Sequence, residues 1–256
     1  MSKRQRTVGF QRIIGFITGL LGGIFGGLVG VGGGAIMIPL MTALAGLTQH
    51  KAHGTSLVAI VFTGAIGAVA YSLHGAVDWK IALMLAVSAI LTARLGALYA
   101  HSLSEKKLRR GFGVFLMFVS TMLLVKGYLL HAAFALAFWP KMATLLLTGI
   151  SAGFISGMMG VGGGGIMVPP MVILAGMSQH LAQGTSLLAM VPIGMSGALT
   201  HYRLGNVDTR VAGGLIIGAI VGGYLGGTVA NMLPELYLRI IFAVIGIWMG
   251  TRYVRA

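Results

Sequence analysis

The chain has no cysteine and only four acidic residues, Asp78, Glu105, Asp208 and Glu235. Without cysteine there is no disulfide, no thiolate metal site and no cysteine nucleophile, and neither redox compartment is favoured. Charged residues make up 9% of the chain, against roughly a quarter in an ordinary soluble domain, which excludes a water-soluble globule. The scarcity of acids also argues against a carboxylate relay for protons. Apolar residues fill the space, at 57% of the sequence with a mean hydropathy of +0.94. Runs of about 20 apolar residues recur, each long enough for a hydrocarbon core of ~30 Å. The expectation is an all-α polytopic integral membrane protein.

A formal charge of +14 raises the question of nucleic acid. The basic residues instead form short patches between apolar runs, as membrane topology requires. Lys3, Arg4 and Arg6 form one patch, Lys106, Lys107, Arg109 and Arg110 another, and Arg252 with Arg255 a third. No basic surface interleaved with aromatics is present, so no nucleic-acid partner is expected. The amino terminus has the form of a signal peptide, basic then apolar. Its recurrence as structure in mid-chain argues against cleavage.

That recurrence is an internal duplication at an offset of 130 residues. Residues 30–39, GVGGGAIMIP, match 160–169, GVGGGGIMVP, at eight of ten positions. Residues 48–57, TQHKAHGTSL, match 178–187, SQHLAQGTSL, at seven of ten. The division is a first transmembrane repeat over 1–127, a linker over 128–141 and a second repeat over 142–256.

Each half reads alike: an apolar run (10–30, 142–160), a glycine cluster, a short run (35–47, 166–177), then three long helices at about 52–74, 79–101 and 107–127 or 182–202, 210–232 and 236–252. Pro39 and Pro169 fall near the start of the short runs, where a missing N–H is tolerated. Thirteen helical residues rise only ~20 Å, too little to span, so each short run reads as half of a broken hairpin that returns to its own side. Such breaks are tolerated where they are buried in protein or line a cavity. With the amino terminus in the cytoplasm, 13 of the 18 basic residues fall inside, and the carboxyl terminus does too. The second half then enters from the opposite face, giving inverted repeats. Charge counting gives the same loop sides if the short runs cross fully.

Two blocks carry the candidate chemistry. Gly32, Gly33 and Gly34, with Gly162, Gly163 and Gly164, leave backbone amides bare at the start of a short helix, whose N-terminus carries roughly half an elementary positive charge. Two such ends meeting in mid-membrane would cradle a small anion. The competing reading is close packing alone, which suffices for Gly15, Gly19, Gly22, Gly23, Gly26 and Gly27 and for Gly218, Gly222, Gly223, Gly226 and Gly227. A Walker-type loop is excluded because no Gly-Lys-Ser/Thr follows.

The second block sets Gln49, His50, His53, Thr55 and Ser56 against Gln179, His180, Gln183, Thr185 and Ser186. Its hydroxyls offer uncharged donors to an oxyanion, with Thr55, Ser56, Thr185 and Ser186 as substrate ligands. Gln49, His50, His53, Gln179 and His180 are candidates for a gate or for proton coupling. The local alternative is hydroxyls bonded to backbone carbonyls. Arg94 is a lone cation in an apolar run, either drawing the anion or snorkelling outward. Asp78 and Asp208 precede helices and read as N-caps. His50 with His53 lacks further ligands for a metal, no serine has a placed base, and no cofactor is expected.

The doubled G-x-G-G-G…P block, each followed by Q-H-x-A-x-G-T-S-L or its Gln183 variant, resembles the TauE/SafE family, the sulfite exporters, over about Ile13 to Tyr253. The resemblance implies a multi-pass protein of the bacterial or archaeal cytoplasmic membrane with seven or eight spans. It also implies movement of sulfite, a sulfonate such as sulfoacetate, or a related oxyanion. The expected function is therefore a transporter, not an enzyme, working by alternating access. A passive anion channel, a membrane scaffold and an intramembrane enzyme are the alternatives. Residue types leave substrate, direction, coupling ion and oligomeric state open.

Overall fold

The computed structural model describes residues 3–129, 138–230, 232 and 234–255. Within them lie α1 (Lys3–Val29), α2 (Gly34–Leu44), α3 (Gln49–Ser72), α4 (Trp79–Ser102), α5 (Glu105–Leu129), α6 (Phe138–Met159), α7 (Gly164–Ile173), α8 (Gln179–Arg203), α9 (Thr209–Ala230) and α10 (Glu235–Arg255). No strand occurs among the described residues, and the fold is all-α and polytopic. Of the linker over 128–141, residues 130–137 lie outside the described residues.

Local chemistry sets the boundaries. Thr48 and Ser178 cap α3 and α8 by accepting from Lys51 N and Leu181 N, and Asp78 caps α4 by accepting from Lys80 N and Ile81 N. Pro39 differs from expectation. It is the sixth residue of α2, as Pro169 is of α7, well inside the helix. The N–H each proline lacks would have met the carbonyl of Ala35 or Gly165, so both short helices lose an internal bond in their second turn.

Five helical stretches are long and apolar enough to cross a membrane among the described residues: Gly9–Val29, Gln49–Ser72, Trp79–Ser102, Lys141–Met159 and Thr209–Ala230. That is fewer than the seven or eight spans the family resemblance implies. α8 has the length, but Gln179, His180, Gln183, His201 and Arg203 make it more polar.

Glycine sets the packing. Along α1, Gly15, Gly19, Gly23 and Gly27 meet the α9 backbone at Val211, Leu215, Ala219 and Gly223 in turn, so the two helices run parallel at backbone contact. Gly149, Gly153 and Gly157 of α6 meet Leu85, Ala89 and Ala93 of α4 in the same sense. Small residues at four-residue spacing allow this approach, as membrane helices without a hydrophobic driving force require. At the centre α3 and α8 run antiparallel: Gly54 faces His201, Gly197 faces Leu57, Gly194 faces Val61 and Gly67 faces Leu187.

One end of the bundle gathers Ala45–Thr48, Leu103–Glu105, Leu204–Asp208 and the end of α10; the other gathers His74–Asp78, Leu174–Ser178 and Ala230. Leu83, Val87, Leu91 and Leu95 on α4 and Ile13, Ile17 and Leu21 on α1 form an exposed apolar belt suited to lipid.

A Cβ at Gly19 would stand 2.9 Å from Ala219 N and closer still to Leu215 O. Gly19→Ala is therefore expected to destabilise the protein in detergent by about 1–3 kcal/mol, the usual cost of overpacking. Gly213→Ala, where a Cβ meets nothing within 4 Å, is expected to be neutral or slightly stabilising. Thermal unfolding of both variants checks this.

Candidate functional site

The chain reverses at two glycine clusters. Gly30, Gly32 and Gly33 have φ of 72°, 92° and 82°, and Gly160, Gly162 and Gly163 repeat this with 66°, 97° and 80°. L residues rarely adopt this left-handed conformation. Gly33 caps α2, where Ile36 N and Met37 N both donate to Gly33 O; Gly163 caps α7 in the same way. The first helical amides, of Gly34 and Ala35 and of Gly164 and Gly165, come before any intrahelical acceptor. α2 folds back along α1, with Gly22 against Met37 and Gly26 against Gly33.

The two breaks touch. Gly34 packs on Gly160 O and Val161, and Gly164 packs on Gly30 O and Val31. Ile60 of α3 and Met190 of α8 lie against both Gly32 and Gly162. All of these glycines are buried. The structure thus brings Gly32, Gly33, Gly34, Gly162, Gly163 and Gly164 together, with the N-termini of two short helices at one buried centre.

The second block clamps the carbonyl ends that the breaks leave bare. At the end of α6, Ser56 Oγ donates to Gly160 O (2.7 Å) and shares its proton with His53 O (2.8 Å). His53 Nδ1 is 3.1 Å from Met158 O, and His201 Nε2 is 2.9 Å from Gly157 O. At the end of α1 the same positions recur: Ser186 Oγ donates to Gly30 O (2.7 Å), Gln183 Nε2 to Val29 O (3.2 Å) and Tyr71 OH to Gly27 O (3.1 Å). Thr55 Oγ1 accepts from Asp208 N and Thr185 Oγ1 from Asp78 N, both at 2.9 Å. Thr55, Ser56, Thr185 and Ser186 are therefore all engaged by the opposite half in this conformation.

Gln49 Oε1 lies 3.1 Å from His53 Nε2. His50 Nδ1 pairs with Glu105 Oε1 at 2.5 Å, while its Nε2 is 3.0 Å from Ala100 O. His180 Nε2 makes the matching approach to Ala230 O at 3.3 Å. Gln179 Oε1 is buried without a partner among the described residues. Arg94 is not brought to the centre. Ala93, Gly96 and Ala97 turn inward, leaving Arg94 on the exposed face beside Leu91, Leu95 and Leu98.

Burial works against the Glu105 charge, but hydrogen bonds from the His50 ring and from the Gln49 and His50 amides outweigh it and hold the carboxyl below its ordinary value. The Arg210 guanidinium, with Nη2 at 2.7 Å, holds the Asp208 carboxyl down likewise. Both acids are thus engaged as anions at the same end of the bundle.

Sequence reasoning missed three features. Tyr71 and His201 are repeat mates, and a polar side chain at both positions of two apolar helices is the signal that could have found them. Ser156, the mate of Gly26, has a buried hydroxyl with no partner among the described residues. Because Gly26 packs on Gly32 and Gly33, the repeat puts Ser156 beside the start of α7.

The third feature is a cleft of about 1140 Å³ at the Glu105 end. Pro39 and Thr42 of α2, Gln49, Glu105, Lys106, Arg109, Trp248, Arg252, Tyr253 and Arg255 line it. Arg109 stacks on Tyr253 at 5.3 Å and Arg252 on Trp248 at 5.2 Å, which restrains both guanidinium groups. Four cations face one acid that is already occupied, so the field in this cleft favours anions.

A multi-pass bundle with two buried helix N-termini and a basic mouth has the form of a membrane transporter. Comparison with known proteins agrees on the class. The sequence profile described as Sulfite exporter TauE/SafE matches residues 13–253, and the chain belongs to that family of membrane transporters. It is 27% identical to the probable membrane transporter protein YunE of Bacillus subtilis, covering 94% of this chain and 97% of that one. A probable membrane transporter protein of Xylella fastidiosa is 31% identical over 93% of this chain and 92% of its own. Another from Methanocaldococcus jannaschii is 26% identical, covering 93% of each. No solved structure matches.

Ser186→Ala is expected to leave Gly30 O buried without its cross-half donor and to destabilise the protein by about 1–3 kcal/mol. Ser72→Ala, an exposed hydroxyl bonded within its own helix, is expected to cost far less. Comparing their thermal unfolding in detergent checks the clamp.

Proposed function

We propose that the protein carries a small sulfur-containing anion, such as sulfite or a sulfonate like sulfoacetate, across the cytoplasmic membrane by alternating access. The observation that carries this reading is the meeting of the α2 and α7 N-termini at one buried centre. Each supplies unpaired amides and a partial positive charge in a low-dielectric surround, which suits an anion and repels a cation. The family profile printed as a sulfite exporter supports the sulfur chemistry. α2 and α7 are half-helices that turn back in mid-membrane, and the antiparallel packing of α3 on α8 supports inverted repeats with an axis in the membrane plane. Both termini then lie in the cytoplasm, with the basic cleft as the cytoplasmic mouth.

In the described conformation the breaks close on one another. Rocking one repeat against the other parts Gly34 from Gly160 and Gly164 from Gly30. It also releases Ser56 and Ser186, whose hydroxyls turn to the anion. Ser156 adds a donor on the α7 side alone. Closure of the breaks on their own backbone supports a carrier over an open channel.

Counterflow in proteoliposomes tests the reading. Labelled sulfite is expected to exchange saturably, with sulfoacetate or another sulfur oxyanion competing and chloride failing to compete. Arg109→Ala with Arg252→Ala is expected to raise KM for the anion several-fold with little change in Vmax, and the effect should shrink at high salt. Linear, non-saturating flux would indicate a channel. No exchange of any sulfur anion by folded protein would remove the substrate assignment.

A further inference from the structure

The clamp at the end of α6 differs from its mate in one chemical respect. Where α8 offers Gln183, α3 offers His53. Gln183 donates to Val29 O at 3.2 Å, and its Oε1 shares the Tyr71 O–H, at 3.1 Å, with Gly27 O. His53 stands between two oxygens, Met158 O and Gln49 Oε1, each 3.1 Å from a ring nitrogen. A neutral imidazole has one N–H and can serve one of them. Two arrangements satisfy the site: a neutral ring with the Gln49 amide turned to present its NH2, or an imidazolium with Gln49 as oriented. Only a rotation of Gln49 and one proton separate them.

The other buried histidine has no such freedom. The Asn206 Nδ2 amide lies 3.2 Å from His101 Nδ1 and 3.5 Å from His201 Nδ1, so both nitrogens receive a donor, and His201 Nε2 keeps its hydrogen for Gly157 O. Among the described residues His53 is therefore the one interior ring whose surroundings accept either protonation state. The ring is fully buried, and its partner Gln49 lines the basic cleft, so one side chain separates His53 from the cleft. Phe112 packs on His53 at 5.3 Å and on Tyr253, which lines the cleft, at 5.5 Å.

Resting on the carrier reading, we infer that His53 takes up a proton from the basic cleft and that this proton travels with the anion, making the protein a proton-coupled symporter. An imidazolium alone in this apolar surround is costly, and so is an unpaired anion at the breaks. Each offsets the cost of the other. His53 is one turn from Ser56, which holds Gly160 O, so the two charges sit in one closed compartment. The carrier then crosses loaded with both or empty of both. The groups acting on the ring are His50 on its own helix, Glu105 and His201. Lys51 stands on the same helix, and the neighbouring elements carry Lys106 and Arg109 on α5, His101 at the end of α4, Arg203 on α8, Arg252, Tyr253 and Arg255 on α10, and the Asp208–Arg210 pair.

The second half supplies the test variant. His53→Gln installs the side chain that already works at position 183, keeping the carbonyl clamp and removing the titratable ring. Purified full-length protein in vesicles with an internal pH dye is given labelled sulfite or sulfoacetate under an acid-outside gradient, with protein-free vesicles subtracted. Wild-type protein is expected to accumulate the anion and acidify the lumen. In His53→Gln, in protein that unfolds at the wild-type temperature, both responses are expected to fall at least tenfold, and whatever exchange remains at equal pH is expected to lose its dependence on pH. Gradient-driven accumulation at the wild-type level in His53→Gln would overturn the assignment. Wild-type exchange indifferent to the gradient would overturn proton coupling and leave the carrier reading standing, whereas absence of exchange would overturn both.

Discussion

A chain that breaks inside an apolar bundle leaves carbonyls at the end of one helix and amides at the start of the next, and no lipid can satisfy either. Much of this protein follows from that constraint. Ser56, His53 and His201 reach across from α3 and α8 to the carbonyls at the end of α6; Ser186, Gln183 and Tyr71 do the same for α1. Ser56, His53, Ser186 and Gln183 serve carbonyls of the opposite half, while His201 and Tyr71 serve their own, so the two repeats are joined where each would otherwise be incomplete. The amides at Gly34 and Gly164 have no acceptor within their own helices, and in the function we propose they are left for the anion.

Reaching across requires close helices, and here the abundant glycine has its second use. α1 lies on α9, and α6 on α4, at backbone contact through glycines spaced four apart. This parallel pairing of the broken helix from one half with a long helix from the other holds the breaks at the depth of Ile60 and Met190. Positioning and packing thus draw on the same residue type, which is why glycine content alone does not separate site from scaffold.

Helix order and duplication were legible because both depend on local pattern. The short helices expected at 35–47 and 166–177 appear as Gly34–Leu44 and Gly164–Ile173. The glycines of the two blocks do meet, which the repeat implied. What could not be read was who pairs with whom. Thr55 and Ser56 look like free donors in the sequence, yet their partners are Asp208 N and Gly160 O, more than a hundred residues away. Pro39 could be placed near a helix start but not at its sixth position, because a glycine at 33 ends the turn earlier than a proline rule suggests. The basic patches were read as topology signals alone. Their convergence with Trp248 and Tyr253 into one cleft depends on α5 packing against α10, which no periodicity encodes.

The central claim is that α2 and α7 turn back in the membrane within inverted repeats. The absence of cysteine makes single-cysteine labelling with an impermeant maleimide unambiguous. Leu44, Ser102, Arg203, Leu73 and Leu174 are all exposed and flank the turns at the two ends of the bundle. Leu44→Cys, Ser102→Cys and Arg203→Cys are expected to react from the cytoplasmic side only, and Leu73→Cys and Leu174→Cys from the outside only. Val31→Cys, buried at the break, is expected to stay unreactive from both faces; its labelling from the outside would mean that α1 and α2 cross, and would contradict the account.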